Sequence, residues 1–193
     1  MDEAKPFKIP KREVWEAFKR VKANQGAAID VAELDLSGQS PVWTIPGGRA
    51  KNRQSHRVPL SALAVRIIDD ARRLAAGSQF LFPDPTGEAP ISAQVPTKAI
   101  ARARAAIGIQ DFRLHDLRRT AATGLAELGA LPNTISLVLN HVSVHKGTIT
   151  GRVYVQYSFD KEKREALEVW GRRLEDILGI RPAPNEPAET VEA

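Results

Sequence analysis

The chain contains no cysteine, few aromatic residues and no long hydrophobic run. Only 6% of its 193 residues are aromatic, and just two of them are tyrosines. The absence of cysteine excludes disulfides, thiolate metal sites and a cysteine nucleophile. No apolar stretch approaches the roughly 20 residues that span a bilayer, and no basic-then-apolar leader is present, so we expect a cytoplasmic protein without membrane contact. With four histidines and no H-E-x-x-H pattern, no metal site is expected either.

Positive charge is in excess, and it is unevenly distributed. The formal net charge is +5, although residues 182–193 hold three glutamates and no basic residue. A basic surface suits a polyanionic partner such as nucleic acid, because each phosphate contact releases counterions. For the charge taken alone, a merely solubilising surface is the alternative.

The hydrophobic pattern predicts a mainly α protein with a small antiparallel β-sheet near the N-terminus, an α+β fold. Residues 1–30 form a lead-in with an amphipathic helix over 11–23, and residues 31–180 form the main domain. Residues 181–193 are an acidic, proline-rich tail that is expected to be disordered. Short β-like segments occupy residues 31–36, 41–45 and 55–60. Helices are predicted over residues 61–77, 96–106, 115–128, 132–140 and 161–178.

Two of these helices carry an apolar stripe that is expected to face the core. Spacings of three and four residues place such side chains on one face of a helix. The stripe of the first helix comprises Leu63, Ile67, Ala71 and Leu74. The stripe of the last helix comprises Leu167, Trp170, Leu174 and Leu178.

His115 and Arg118 lie three residues apart in the first turn of a predicted helix, so both side chains can face one point. That helix end also offers unpaired N–H groups and a partial positive charge, which suit a phosphate. The alternative is a surface helix start in which Arg118 pairs with Asp116 or Asp111.

A second histidine and two tyrosines follow in the chain. His141 comes after an apolar helix and before a flexible Ser/Gly/Thr stretch, and Tyr154 and Tyr157 come after that stretch. Phosphodiester chemistry can use such a set without a metal: an arginine neutralises a phosphate, histidines move protons, and a tyrosine hydroxyl attacks phosphorus. Each of these residues alone more often serves capping or packing, so the hypothesis depends on the ordered set.

Lys51 lies in a predicted turn between two β-like segments, with Arg49, Arg53 and Arg57 close by. One of these side chains can reach a phosphate or a leaving oxygen. Solvated surface charge is the alternative for such a run.

The ordered combination resembles the tyrosine recombinase (phage integrase) family, in the form found in prophages and genomic islands. The matching motifs are Lys51-Asn52, His56-Arg57-Val58-Pro59-Leu60, His115-Asp116-Leu117-Arg118-Arg119-Thr120, Leu139-Asn140-His141 and Val153-Tyr154. The match extends over about residues 31–178. The resemblance implies the C-terminal catalytic domain of that family, with its DNA breaking-rejoining fold. It also implies site-specific DNA integration or excision through a 3′-phosphotyrosyl intermediate.

The resemblance implies a role for each matching residue. Tyr154 would be the nucleophile, Arg118 would hold the non-bridging phosphate oxygens, and His115 would help to accept the tyrosine proton. His141 would donate a hydrogen bond to the transition state, and Lys51 would protonate the departing 5′-oxygen. No metal or other cofactor is implied.

The chain departs from the family pattern in one place. The family carries another catalytic arginine on a helix before the sheet, in a segment resembling T-G-x-R-x-x-E, whereas residues 18–30 offer only Arg20 and Lys22 as possible substitutes. Two alternatives to recombination therefore stay open: a non-catalytic DNA-binding remnant of an integrase, and a helical interaction protein. Tyr157 is the rival of Tyr154 as nucleophile.

The implied partner is double-stranded DNA, bound by a chain that is monomeric alone and forms a homotetramer when two sites are brought together. Most basic side chains would meet phosphates and carry no sequence information. The side chains predicted to contact DNA are Arg49, Arg53, Arg57, Lys98, Arg102 and Arg119.

Overall fold

A computed structural model of the chain describes residues 29–50, 53–92, 94–141 and 157–180. The strands in these ranges are β1 (Leu34–Asp35), β2 (Val42–Ile45) and β3 (His56–Pro59). The helices are α1 (Ala62–Leu74), α2 (Gln94–Ile107), α3 (Leu114–Glu127), α4 (Pro132–Val138) and α5 (Asp160–Leu178). A mostly helical chain with a small antiparallel sheet confirms the α+β prediction. The helix predicted over residues 11–23 and the tail 181–193 lie outside the described residues.

The three strands form one antiparallel sheet in the order β1-β2-β3. Trp43 in the central strand is opposite Leu34 of β1 and Val58 of β3. β1 is shorter than the predicted segment 31–36, because Val31–Glu33 form a 3-10 turn. Asp30 caps that turn by accepting a hydrogen bond from the Ala32 N–H at 2.9 Å, a local contact that competes with strand pairing.

The hydrophobic core lies between α1 and the sheet. Its fully buried members are Ile29, Leu60, Ile68 and Leu81, with Leu34, Trp43 and Ala64 packed against them. α1 begins as predicted at Ser61, whose hydroxyl accepts a hydrogen bond from the Ala64 N–H. This cap fixes the start of α1 directly after β3.

The predicted apolar stripe of α1 is wrong at its last member. Leu74 is 81% exposed, whereas Ala75 beside it is buried. The helix ends at this point, because Ala76 and Gly77 both adopt the left-handed conformation. Within the helix, the core-facing series continues from Ala71 to Ala75 at a spacing of four, so Leu74 lies on the exposed side of the last turn.

α5 is the longest helix and contacts β3, α1, α3 and α4. Its fully buried residues are Lys163, Gly171, Glu175 and Leu178. The predicted stripe is therefore buried at Leu178, while Leu167, Trp170 and Leu174 are half-buried. The charged members of the buried seam are paired, Glu175 with Arg66 and Lys163 with Asp160.

Two glycines allow α5 to approach its neighbours closely. A Cβ atom at Gly171 would lie 3.0 Å from the Ser61 hydroxyl at the start of α1. A Cβ atom at Gly124 of α3 would overlap the ring of Trp170. Both close contacts therefore depend on the absence of a side chain at the glycine.

Replacing Gly124 with alanine is expected to lower the free energy of unfolding by about 1–3 kcal/mol, because overpacking against Trp170 outweighs the better helix propensity of alanine. Urea unfolding measures the change. Thr123→Ala, at the adjacent exposed position of the same helix, is the control and should leave stability nearly unaltered. A Gly124→Ala protein as stable as the control would contradict the tight packing.

The helices after α1 begin and end within two residues of their predicted bounds. Between them, short turns bring the start of α3 and the end of α4 to the same side as β3 and the start of α5. None of the helices in the described ranges is both long and apolar enough to cross a membrane.

Candidate active site

The start of α3 presents His115 and Arg118 one turn apart, as predicted. The Asp116 carboxylate caps the helix by accepting a hydrogen bond from the Arg113 N–H at 2.9 Å. His115 is exposed and Arg118 is half-buried. The Arg118 guanidinium donates a hydrogen bond to the backbone carbonyl of Leu139 instead of pairing with Asp116. Arg118 is therefore turned towards the end of α4.

The C-terminal end of α4 is a junction at which three elements meet. The last carbonyls of any helix lack partners within the helix and attract donors and cations. Arg118 of α3 bonds to the carbonyl of Leu139, and the imidazole of His56 in β3 forms a hydrogen bond with the backbone of Val138. Two side chains from different elements thus bind consecutive residues at this helix end.

The chain continues from this junction directly to His141. Asn140 adopts the left-handed conformation with φ 53°, which turns the chain out of the helix. The His141 N–H then donates to the Ser136 carbonyl at 2.9 Å. His141, which is exposed, is held two residues from the carbonyl that Arg118 binds. The backbone at His141 therefore lies close in the chain to the carbonyl that Arg118 binds.

His56 is a polar residue of the junction to which the sequence analysis assigned no role. Its burial lowers the pKa of the imidazole, and the positive charges of Lys163 and Arg118 lower it further. The hydrogen bond with Val138 and the charge of Asp160 oppose this shift without reversing it. The imidazole is therefore neutral at neutral pH and acts as a hydrogen-bond donor to the end of α4.

The depressed pKa of His56 predicts a specific pH dependence of stability. In the unfolded chain the His56 imidazole takes up a proton near pH 6.5, whereas in the folded chain it does so only at a lower pH. The contribution of the neutral imidazole to the free energy of unfolding is therefore complete above pH 6.5 and is lost as the pH falls towards the folded pKa. Urea unfolding at several pH values between about 5 and 8 measures this loss, and His56→Gln is expected to flatten the profile. If the free energy of unfolding depended equally on pH in the wild-type protein and in His56→Gln, the lowered pKa of His56 would be refuted.

A cleft of about 190 Å³ lies between β3, the end of α4 and the start of α5. Its lining includes His56, Arg57, His141, Tyr157 and Lys163. Histidines and cationic groups around one cleft suit an anionic group such as a phosphate. His115 and Arg118, by contrast, both belong to α3 and are not among the residues that line this cleft.

Tyr157 lies on the rim of the cleft in an acidic setting. Its ring contacts Phe159 edge to face, with centroids 4.9 Å apart. Desolvation, a hydrogen bond with Glu162 and the nearby carboxylates of Glu162 and Glu165 raise the pKa of Tyr157. A higher pKa disfavours the phenolate, and carboxylates repel a phosphate, so this setting disfavours attack on a phosphate by Tyr157. Tyr154 lies outside the described residues, as do Lys51, Arg20 and Lys22.

The basic residues predicted to contact DNA fall into two groups. Two of them are engaged within the protein: Arg49 lies 2.5 Å from Glu33, and Arg57 lies 2.8 Å from Asp160. The others are exposed on the surface, and Arg119 of that group lies 3.7 Å from Asp116. These exposed residues are Arg53, Lys98, Arg102 and Arg119. Their contacts with DNA stay predictions.

Lys163 is a second site residue without a predicted role, and the sequence contained a signal for it. Lys163 precedes Leu167 by one helical turn, so the predicted apolar stripe of α5 leads to it. His56 lies in one of the motifs that match the family, but that motif did not indicate its partners, which come from α3, α4 and α5. As for metals, the described part of the chain contains no group of three histidine or acidic side chains that could hold an ion.

Comparison with known proteins identifies relatives of this chain among integrases. Prophage integrase IntA of Escherichia coli K12 is 28% identical over 159 residues, covering 81% of this chain and 36% of that protein. Prophage integrase IntZ of the same strain is 34% identical over 146 residues, covering 75% of this chain and 34% of that protein. An integrase of Mycobacterium phage D29 is 28% identical over 140 residues, covering 70% of this chain and 35% of that protein.

The chain therefore spans about a third of the length of these relatives. No solved structure gives a significant match to it. Residues 20–160, most of the chain, match the model of the phage integrase family. The chain belongs to the phage integrase family.

Proposed function

We propose that this chain is the catalytic part of a tyrosine-type site-specific recombinase, with the DNA breaking-rejoining fold of such domains. The observation that carries the proposal is the junction at the end of α4. There Arg118 binds the Leu139 carbonyl, two residues before His141, and His141 lines a cleft together with His56. Family membership supports the same reaction class.

The proposed reaction needs neither a metal nor ATP. The Tyr154 oxygen attacks a DNA phosphorus, forming a 3′-phosphotyrosyl bond while the bond from phosphorus to the 5′-oxygen breaks. His115 helps to accept the tyrosine proton, and Lys51 gives a proton to the departing 5′-oxygen. Because the new bond keeps the energy of the phosphodiester, a 5′-hydroxyl of another strand can reverse the step and rejoin the DNA.

The proposed charge stabilisation comes from side chains around the phosphate. Arg118 binds the two non-bridging oxygens, and His141 donates a hydrogen bond as negative charge develops on them. Arg20 or Lys22 supplies the second cation that the family places on a helix before the sheet. The substrate is duplex DNA in the cytoplasm, bound by a monomer that joins a homotetramer when two sites meet.

Covalent trapping tests this function. The probes are nicked suicide duplexes that carry the genomic sequences flanking the coding region, in which the cut strand diffuses away and leaves the protein attached. A DNA adduct that survives detergent and disappears with protease is expected. Salt-sensitive DNA binding without an adduct would contradict catalysis and indicate a DNA-binding remnant. Absence of both would indicate a helical interaction protein.

A further inference from the structure

Three charged side chains join β3 to the start of α5, namely Arg57, Asp160 and Lys163, which we call the β3–α5 cluster. Arg57 Nε donates to Asp160 Oδ2 at 2.8 Å, and Lys163 Nζ lies 2.9 Å from Asp160 Oδ1. Lys163 Nζ also donates to the backbone carbonyl of Arg57 at 2.7 Å. The Asp160 carboxylate is thus held from two sides, and the first turn of α5 is fixed to both the side chain and the backbone of one strand residue.

Lys163 is the buried member of the cluster, with only 4% of its surface exposed. A buried ammonium group persists only when a counter-charge and hydrogen bonds replace its water. Asp160 supplies that counter-charge. Although burial alone would raise the pKa of Asp160, its bonds to Lys163 and Arg57 hold that pKa below the usual value. The carboxylate therefore remains charged at neutral pH, and the cluster stays paired.

The cluster also lies at a bend in the backbone. Phe159 adopts the left-handed conformation with φ 53°, and its carbonyl accepts the first hydrogen bond of α5, from the Lys163 N–H at 3.0 Å. A bulky residue keeps this conformation only where its surroundings impose it. Asp160 and Lys163 directly follow the bend and fasten it to β3. The direction in which the preceding chain leaves α5 is therefore set here.

Two proposed reactive groups are tied to this cluster by short stretches of chain. Tyr154 precedes Asp160 by six residues, and Lys51 precedes Arg57 by six residues. β3 is held in the sheet through its register with β2, so loss of the cluster would release the start of α5 rather than the strand. We propose that the β3–α5 cluster positions the segment of Tyr154 for attack on the DNA phosphate. This inference rests on the proposed function, because it concerns the nucleophile of that reaction.

A direct contact between Arg57 and DNA is the rival role for the exposed partner of the cluster. An arginine that binds a phosphate contributes to affinity, so its loss weakens DNA binding and reduces the salt slope of the binding constant by about one. A positioning arginine leaves affinity and salt slope unchanged, and its loss slows the chemical step when DNA is saturating. Loss of a DNA contact therefore changes the binding constant and its salt slope, whereas loss of a positioning residue changes the rate of the chemical step.

The experiment compares Arg57→Gln, Asp160→Asn and the double variant in the full chain, with the suicide duplex that traps the wild-type protein. We expect each single variant to form the adduct about 10²-fold more slowly at saturating DNA, since a displacement of about 1 Å costs that much. The double variant should be no slower than the slower single variant, because either change breaks the same bond. DNA affinity and salt slope should equal those of the wild-type protein.

The control is Arg73→Gln, which breaks the exposed ion pair between Arg73 and Asp70 at the end of α1 and should leave the rate unchanged. Thermal unfolding verifies that each variant is folded. Should Asp160→Asn fail to fold, Arg57→Gln decides alone, because that side chain is half exposed.

Three outcomes overturn the inference. Wild-type rates in the cluster variants would show that the cluster does not position the nucleophile. Weaker binding by Arg57→Gln with a reduced salt slope would assign Arg57 to a DNA contact. No adduct with the wild-type protein would overturn the proposed function itself, and this result is distinct because the other two require a wild-type adduct.

Discussion

Replacing Tyr154 with phenylalanine is expected to reduce formation of the covalent DNA adduct by at least about 10³-fold. The substitution removes only the hydroxyl oxygen that would form the bond to phosphorus, so folding and DNA affinity should be preserved. The rate of adduct formation on the nicked suicide duplex is the measurement. DNA binding of the variant, measured by fluorescence anisotropy, verifies that the loss is one of chemistry.

Tyr157→Phe is the matched control for this substitution, because it removes the same atom from the other tyrosine of the chain. The carboxylates of Glu162 and Glu165 and the raised pKa of Tyr157 disfavour a nucleophile at that position. We therefore expect the control to form the adduct at nearly the wild-type rate. An adduct that persists in Tyr154→Phe and disappears in Tyr157→Phe would reverse the assignment.

The sequence predicted the parts of the fold that depend on local pattern. Start and stop signals, joined in α5 by an apolar stripe, placed α2 to α5 within two residues of their bounds, and the β-like segments predicted β2 and β3. β1 was predicted too long, because the Asp30 side chain caps a 3-10 turn at a point where the alternation continues. Leu74 was misplaced because the core-facing series of α1 continues from Ala71 to Ala75, which leaves Leu74 on the exposed side of the last turn. Both errors lie at an end of a predicted element.

The candidate site was predictable in its residue types but not in its connections. The order of His115, Arg118 and His141 along the chain indicated phosphate chemistry, and the structure brings Arg118 and His141 to one helix end. Arg118 is held at this helix end by a hydrogen bond to the Leu139 carbonyl. Every residue type has a backbone carbonyl, so the sequence does not indicate which one accepts such a bond. His56 joins the same helix end from a strand more than 80 residues away, and no periodicity reports such a contact.

The buried seam of α5 shows why an apolar stripe alone is an incomplete guide to burial. Lys163 and Glu175 are buried in this seam, while the predicted Leu167 and Leu174 are only half-buried. Burying the two charged residues is possible because Asp160 and Arg66 supply counter-charges from the helix start and from α1. Charge pairing, which hydrophobicity does not record, therefore allows charged residues to occupy the buried face of α5.

Replacing Arg118 with alanine is expected to slow adduct formation by about 10²–10³-fold, because one preorganised donor and one positive charge at the phosphate are lost. Arg118→Lys is expected to form the adduct at a rate between those of the wild-type protein and Arg118→Ala. An ammonium group keeps the charge but cannot bind two phosphate oxygens in one plane as guanidinium does. Single-turnover rates at saturating DNA measure both effects. The affinity for DNA should fall moderately and the salt slope of binding by about one, because one of several phosphate contacts is removed, and saturating DNA keeps this loss out of the measured rate.

Arg118 also binds the Leu139 carbonyl, so a purely structural role must be separated from a role at the phosphate. Partial burial lowers the pKa of Arg118, yet the group stays charged at neutral pH and can exchange a carbonyl for a phosphate oxygen when DNA binds. Millimolar guanidinium should restore part of the rate to Arg118→Ala, because the free cation can occupy the vacated space beside the phosphate. A variant that unfolds at lower temperature and gains nothing from added guanidinium would mean that Arg118 only holds the end of α4 in place.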